Sequence, residues 1–288
     1  MTVFVDSSAL RPGRRPEMPP DEPREWLAGK KGEPVQTATA HTSRGVNEVI
    51  RLLEQSRMKT HFSPSEHFNR TLRLWEAASR RAEMDEWLDL CGGMERALTP
   101  LADALALLAQ HAWSSYEDLL GLTYMTLGLG DVRKGQYFTP FAVACMMAEM
   151  ILDDWQPPYG PAGPPACFYE PACGSGVMFL GVMAVLEERF PNSFPVLLRQ
   201  GLILFRGIDL DPTAVLMATL NLRLRGYPFA AQTLTVGDAL AEGRPEAPSP
   251  GPAPDLSLAP PLLAVEASED DPTIPADPDG QSVQYLFF

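Results

Sequence analysis

Three acidic residues and a pair of glycines carry the strongest chemical signal in this chain. Glu170 precedes Pro171-Ala172-Cys173-Gly174-Ser175-Gly176, Asp209 follows Arg206-Gly207-Ile208, and Asp238 follows Gly237. Glycines placed between a short apolar run and a helical run let a backbone approach a ligand closely, and the first helical amides can supply donors. An acid at the tip of the next strand can accept two ribose hydroxyls. A third acid, one strand further on, would lie near a purine edge. The set reads as a cradle for a nucleoside-bearing ligand.

The elements around these residues follow from pattern. Cys167 to Tyr169 reads as a buried strand, and Val177 to Phe190 has helical spacing, with Val177, Leu180, Met183 and Leu186 on one face. Leu202 to Ile208 reads as a second buried strand and Thr233 to Val236 as a third. Asp211, before Pro212, is expected to cap a helix over Thr213 to Leu224. Upstream, Gly135-Gln136-Tyr137-Phe138-Thr139-Pro140 is expected to form a small ligand-facing loop. There Thr139 is read as the N-cap and Pro140 as the first residue of a helix running to about Leu152.

Ser43 to about Leu127 reads as a bundle of four or five helices, stopped once at Cys91-Gly92-Gly93. Its tryptophans, Trp75, Trp87 and Trp113, are expected in the core rather than on a binding platform. The expected organisation is an arm over 1–38, a helical unit over 39–130, an α/β ligand-binding unit over 131–240 and a Pro/acid-rich tail over 241–288 that could add one terminal strand.

Composition sets bounds on function. A hydrophobic fraction of 45% over 288 residues is enough for one large α/β unit with a smaller helical one. No run of eighteen apolar residues occurs, so no membrane contact is expected. Met1 to Pro20 has no apolar stretch after a basic start, so no secretory signal is expected. The four cysteines, with histidines at 41, 61, 67 and 111, make no metal-ligand spacing, and they read as free thiols of a cytoplasmic protein. Net charge is −14; residues from 241 onward hold nine acids against one base, and residues 1–60 ten bases against eight acids. A DNA-binding chain ordinarily shows a basic stripe, which is lacking here. If DNA is a ligand, a partner must supply much of the grip.

Gly135-Gln-Tyr-Phe-Thr-Pro140, Glu170 to Gly176, Gly207-Ile-Asp209 and Gly237-Asp238, taken in that order, resemble the amino-group (N6-adenine) DNA methyltransferases. The likeness is greatest to the modification subunits of type I restriction systems and covers roughly residues 45 to 240. It implies a Rossmann-like S-adenosylmethionine-dependent methyltransferase domain of the α/β class, preceded by a helical domain. By carry-over, Phe138 and Thr139 would contact the cofactor, and Glu170 would bind its methionine amino group. Ala172, Gly174 and Gly176 would close around it, Asp209 would take the ribose, and Asp238 the adenine amino group. The implied partners are DNA, through a specificity subunit, and a protein contacted by the helical domain; no metal is implied.

The family's transfer step needs Asn/Asp-Pro-Pro-aromatic after the next strand, to hold the amine of a flipped-out adenine and stack on its ring. Downstream of Asp238 the one Pro-Pro is Pro260-Pro261, with Ala259 where the acceptor should be and Leu262 where the aromatic should be. No catalytic residue is therefore assigned. The resemblance implies a cofactor-binding homologue, truncated or degenerate after its third strand and impaired or inactive alone. The alternative is a non-catalytic module that regulates or assembles another protein. A third reading is an enzyme acting on RNA or a protein glutamine.

Overall fold

The computed structural model describes residues 2–6, 40–79, 84–130, 136, 138–156, 165–227, 230–242 and 283–286. Strand β1 (Thr2–Asp6) comes first, then helices α1 (Ala40–Arg57), α2 (Pro64–Ser79), α3 (Met84–Leu90), α4 (Leu98–Ser114) and α5 (Leu119–Thr126). Helix α6 (Phe141–Ile151) leads to the alternating part: β2 (Ala166–Glu170), α7 (Val177–Arg189), α8 (Phe194–Arg199), β3 (Ile203–Asp209), α9 (Pro212–Leu224), α10 (Ala230–Thr233), β4 (Leu234–Val236) and α11 (Ala239–Glu242). Strand β5 (Val283–Leu286) comes last.

The sheet order is β4-β3-β2-β1-β5. Strands β2, β3 and β4 are parallel, with Glu170 opposite Gly207 and Asp209 opposite Val236. Parallel neighbours need helical crossovers, which α7 and α9 supply. Their carboxyl ends therefore share one rim, and the three acids singled out in the sequence stand on it or just past it. The molecule is thus a helix-rich α/β protein with a small parallel sheet.

Two apolar clusters hold it together. The first joins the sheet to α6, α7 and α8, and Phe168, Phe179 and Tyr227 surround Phe205 at ring-centroid distances of 5.6, 5.4 and 5.2 Å. The Tyr227 hydroxyl accepts the Phe205 amide at 2.9 Å, so even this buried phenol is satisfied. Every residue from Val177 to Leu186 is buried, which is why that helix is apolar on all sides rather than on one stripe.

The second cluster is built by α1–α5, and it includes Met217 and Leu220 of α9. The helices therefore lean on the crossover that follows β3. A half-buried ion pair from Arg223 to Glu76 (2.9 Å) and a bond from the Thr213 hydroxyl to Asn69 (3.0 Å) reinforce the contact between α2 and α9.

Several expectations change. Residues 2–6, read as part of a mobile arm, form a strand that pairs antiparallel with β2, Val3 opposite Phe168. The Thr-Val-Phe-Val run has the β-branched and aromatic character a strand favours, and the Pro- and Gly-rich composition around it hid that. The rest of the arm lies outside the described residues, as does the tail from 243 to 282. Trp113 is 72% exposed, not core: the buried face of α4 carries Leu101, Ala104, Leu108 and His111, and a residue two positions past His111 points away from that face. Thr139 does not cap α6. Pro140 is extended (ψ 139°) and occupies the cap position itself, and the helix starts at Phe141. Among the described residues no helix is long and apolar enough to cross a membrane, and no group of three or more His, Cys, Asp or Glu residues could hold a metal ion. The four cysteines are free and buried.

Candidate functional site

The turn after β2 is made by its glycines. Gly174 (φ 53°) and Gly176 (φ 87°) both sit in the left-handed region, which a residue with a Cβ enters only at a cost. A side chain at Gly176 would also press on Ala218 of α9, 3.1 Å from its Cβ. The turn thus packs α7 directly against α9.

Asp209 closes the turn from the neighbouring strand. One carboxylate oxygen accepts the Gly174 amide at 2.9 Å, and the other accepts the Asp211 amide at 2.9 Å. A carboxylate has about four acceptor sites, so the two hydroxyls of a ribose can still be taken. Its own carbonyl accepts the Gly237 amide at 3.0 Å, which ties the Gly237-Asp238 turn to the same rim. Asp238 is exposed, and its carboxylate accepts the Leu240 amide at 2.9 Å. Asp211 behaves as expected: it caps α9 through the Thr213 amide at 2.8 Å. Its other oxygen accepts from Gln136 of the upstream loop at 2.7 Å.

Glu170 is 9% exposed, at the tip of β2, and accepts the Ala172 amide at 3.3 Å. Burial pushes its carboxyl above the ordinary range; the bond from the Ala172 amide opposes this, and the nearby Asp209 charge adds to it. Phe138 is half-buried. Its ring stacks on Tyr124 (centroids 5.9 Å apart) and lies 3.4 Å from where a Cβ on Gly174 would stand. Thr139 is half-buried and follows it. Ala172 is exposed beside the turn. The structure therefore brings Phe138, Glu170, Ala172, Gly174, Gly176 and Asp209 together, with Asp238 at the adjacent strand end. Gly135 and Tyr137 of the upstream loop, and the Ala259–Leu262 segment, lie outside the described residues.

One feature of the cradle differs from the sequence reading. The amides of Ala172, Cys173, Gly174 and Gly176 are spent inside the protein, on Glu170, Ile208, Asp209 and Cys173 respectively. Ser175 and the first turn of α7 are buried. A carboxylate stands behind the turn, bonded to the Ser175 hydroxyl. Asp118, at the cap of α5, accepts the Ser175 hydroxyl, the Gly121 amide at 2.8 Å and the Asn221 side-chain amide at 2.7 Å. The second N–H of Asn221 goes to the Ser175 carbonyl at 2.9 Å. Burial pushes the Asp118 carboxyl up; its three hydrogen bonds and the Arg225 cation oppose that. A phosphate placed here would meet the carboxylates of Glu170 and Asp209, so the site is better suited to an uncharged or cationic ligand.

Sequence reasoning missed Asp118, Ser175 and Asn221. The one available signal was local: an Asp ahead of an apolar helical run, the ordinary mark of a cap. A cavity of about 820 Å³ opens elsewhere, at the carboxyl ends of α4, α7 and α9, beside Trp113, Tyr116, Glu187 and Arg225. The turn and its acids do not line it.

Residues 115–252 match the N-6 DNA Methylase family. The match takes in the Asp118 cap, the upstream loop, the glycine turn and all three rim acids. Among curated proteins none matches the chain. Among solved structures, a Listeria monocytogenes protein described as a candidate class I S-adenosylmethionine-dependent methyltransferase aligns at 15% identity and a TM-score of 0.39, over 67% of this chain and 52% of its own. The methyltransferase subunit of a type I restriction-modification system from Streptococcus thermophilus aligns at 18% identity and 0.34, over 66% of this chain and 43% of its own. The chain thus spans about half the length of these structures.

Proposed function

We propose that this chain binds S-adenosylmethionine on the rim formed by Glu170, Gly174, Asp209 and Asp238, as a homologue of the N6-adenine DNA methyltransferases of the type I modification-subunit kind. The observation that carries the reading is the acidic rim wrapped on the glycine turn: Asp209 holds the Gly174 amide while keeping acceptor capacity, and the side chains at the strand tips are carboxylates. Of the nucleoside-bearing cofactors, this one has no phosphate and carries sulfonium and ammonium cations against one carboxylate, so it suits a rim lined by Glu170, Asp209 and Asp238.

Each residue then has a task. Glu170 accepts the ammonium group; its raised proton affinity makes it a group that ionises fully when the cation arrives. Asp209 takes the ribose hydroxyls, and Asp238 the exocyclic amine of the adenine. The Phe138 ring, seated over Gly174, covers the cofactor's open face with Thr139, and Ala172 lines the near side. Bound there, the cofactor would supply an electrophilic methyl group.

The transfer step is not assigned to this chain. With Ala259 and Leu262 at the positions of the acceptor and the aromatic, the Pro260-Pro261 segment lacks the side chains that would hold and stack an adenine. Losing one preorganised polar group of this kind costs about 10²–10³ in rate. DNA, a specificity subunit and a protein contact through α1–α5 belong to the same proposal. So does a cytoplasmic location. With a net charge of −14, the grip on DNA would come from the partner. Calorimetry with S-adenosylmethionine and a methyl-transfer assay on adenine-containing DNA test both halves. The reading expects saturable binding without transfer by the chain alone. Absence of binding at millimolar cofactor contradicts the first half, and transfer by the purified chain the second.

A further inference from the structure

Asp118 lies in the helical layer, 57 residues before Ser175 and 103 before Asn221, and the cofactor reading gives it no task. It is 5% exposed, and Ser175 is fully buried. The carboxylate takes the Ser175 hydroxyl, while Asn221 spends one N–H on Asp118 (2.7 Å) and the other on the Ser175 carbonyl (2.9 Å). The residue between the two left-handed glycines is therefore gripped at side chain and backbone at once. Gly121 makes the approach possible, since a Cβ there would stand 2.1 Å from an Asp118 oxygen and 2.7 Å from the Ser175 hydroxyl. Behind the carboxylate, Arg225 donates to the carbonyls of Ser115 (3.1 Å), Glu117 (2.9 Å) and Asn221 (3.1 Å). It thereby fixes the segment leading to Asp118 onto the end of α9.

We infer that Asp118 is a positioning residue for the cofactor site: through Ser175 it holds the glycine turn in the shape that presents Gly174 to Asp209, and it makes that shape depend on the helical layer. This rests on the cofactor reading above, but the clamp has a consequence in the free protein as well. A buried carboxylate in this network cannot be lost without leaving the Ser175 hydroxyl and the Asn221 amide short of a partner. The turn must then rearrange toward new ones. An asparagine at 118 can keep the network, because its oxygen serves Gly121 and Asn221 while its amide donates to the Ser175 oxygen.

The test compares Asp118→Ala, Asp118→Asn and Ser175→Ala with Leu108→Ala, a core truncation in α4 that leaves the turn untouched. Two readouts are taken on the folded full chain: S-adenosylmethionine affinity by calorimetry, and amide hydrogen exchange of residues 173–176 without cofactor. We expect Asp118→Ala and Ser175→Ala each to weaken binding by about tenfold or more and to speed exchange at the turn by a similar factor. Combining the two substitutions should cost no more than Asp118→Ala alone. Asp118→Asn should stay within about threefold of the parent, and Leu108→Ala should leave both readouts unchanged. Should wild-type protein fail to bind the cofactor, the functional reading fails, and the exchange data still judge the clamp. Exchange at 173–176 that is the same in Asp118→Ala as in Leu108→Ala overturns it, and so does undiminished cofactor affinity in Asp118→Ala.

Discussion

Replacing Gly176 by alanine should destabilise the protein through two separable effects. The residue has φ 87°, where a Cβ is in conflict with its own backbone; that costs about 1–2 kcal/mol. The new Cβ also meets Ala218 at 3.1 Å from its Cβ and 3.2 Å from its Cα. Neither α7 nor α9 can withdraw freely, since both are packed into the cores, so overpacking adds about 1–2 kcal/mol. Gly93 supplies the comparison: it has φ 74°, and a Cβ added to it would meet nothing within 4 Å, so Gly93→Ala bears only the backbone cost. At roughly 2–4 °C per kcal/mol for a domain of this size, Gly176→Ala should melt about 4–16 °C below the parent and Gly93→Ala about 2–8 °C below. Urea unfolding of both variants, with equal slopes, gives the difference directly. If Gly176→Ala unfolds at the same urea concentration as Gly93→Ala, the turn does not fix the α7–α9 approach, and the packing reason for a glycine at 176 is refuted.

Glu170→Gln should stabilise the cofactor-free protein at neutral pH while abolishing cofactor binding. Burial raises the Glu170 pKa above its ordinary 4.5, so its contribution to stability is present below that value and is lost as pH rises through the folded value. The advantage of the glutamine variant, read from unfolding midpoints between pH 4 and 8, should therefore shrink as the pH falls toward 4.5; a constant gap would show that the carboxylate is not desolvated. The same shift makes cofactor affinity in wild-type protein fall on acidification, by at most about tenfold per pH unit below the folded value. Gly181→Ala should cost about 2–3 kcal/mol, because its Cβ would stand 2.7 Å from the Ala144 carbonyl carbon where α6 crosses α7; a midpoint unchanged in urea would mean the two helices are free to separate.

Much of the α/β half was legible because punctuation and burial agree there. Glu170-Pro171 and the glycines bound one strand and one helix, so Cys167 to Tyr169 and Val177 to Phe190 fall within a residue or two of β2 and α7. Asp211-Pro212 marks the start of α9, with its capping bond in place. What was not legible is what comes from distant parts of the chain. Asp118 looks like any helix cap until folding sets it against Ser175 and Asn221, and nothing local announces that pairing. The glycine turn was legible as a turn, but not that its amides are consumed by Glu170, Ile208, Asp209 and Cys173. That inward use of donors is set by residues of the neighbouring strand and of the turn itself, which spacing alone does not show. Thr139-Pro140 misled because Thr-Pro favours a cap one residue earlier than the extended backbone at Pro140 permits. Trp113 misled because residue type was weighed above its place on α4.

Titration calorimetry of S-adenosylmethionine into the full chain and into Asp209→Ala addresses the acidic rim most directly. The alanine removes both the ribose acceptor and the partner of the Gly174 amide. Wild-type protein should bind saturably at one site, and Asp209→Ala should bind at least about a hundredfold more weakly, as expected when the ribose acceptor is lost and the Gly174 amide is left without its partner. Equal affinities in the two proteins, or no heat from either at millimolar cofactor, would contradict the account.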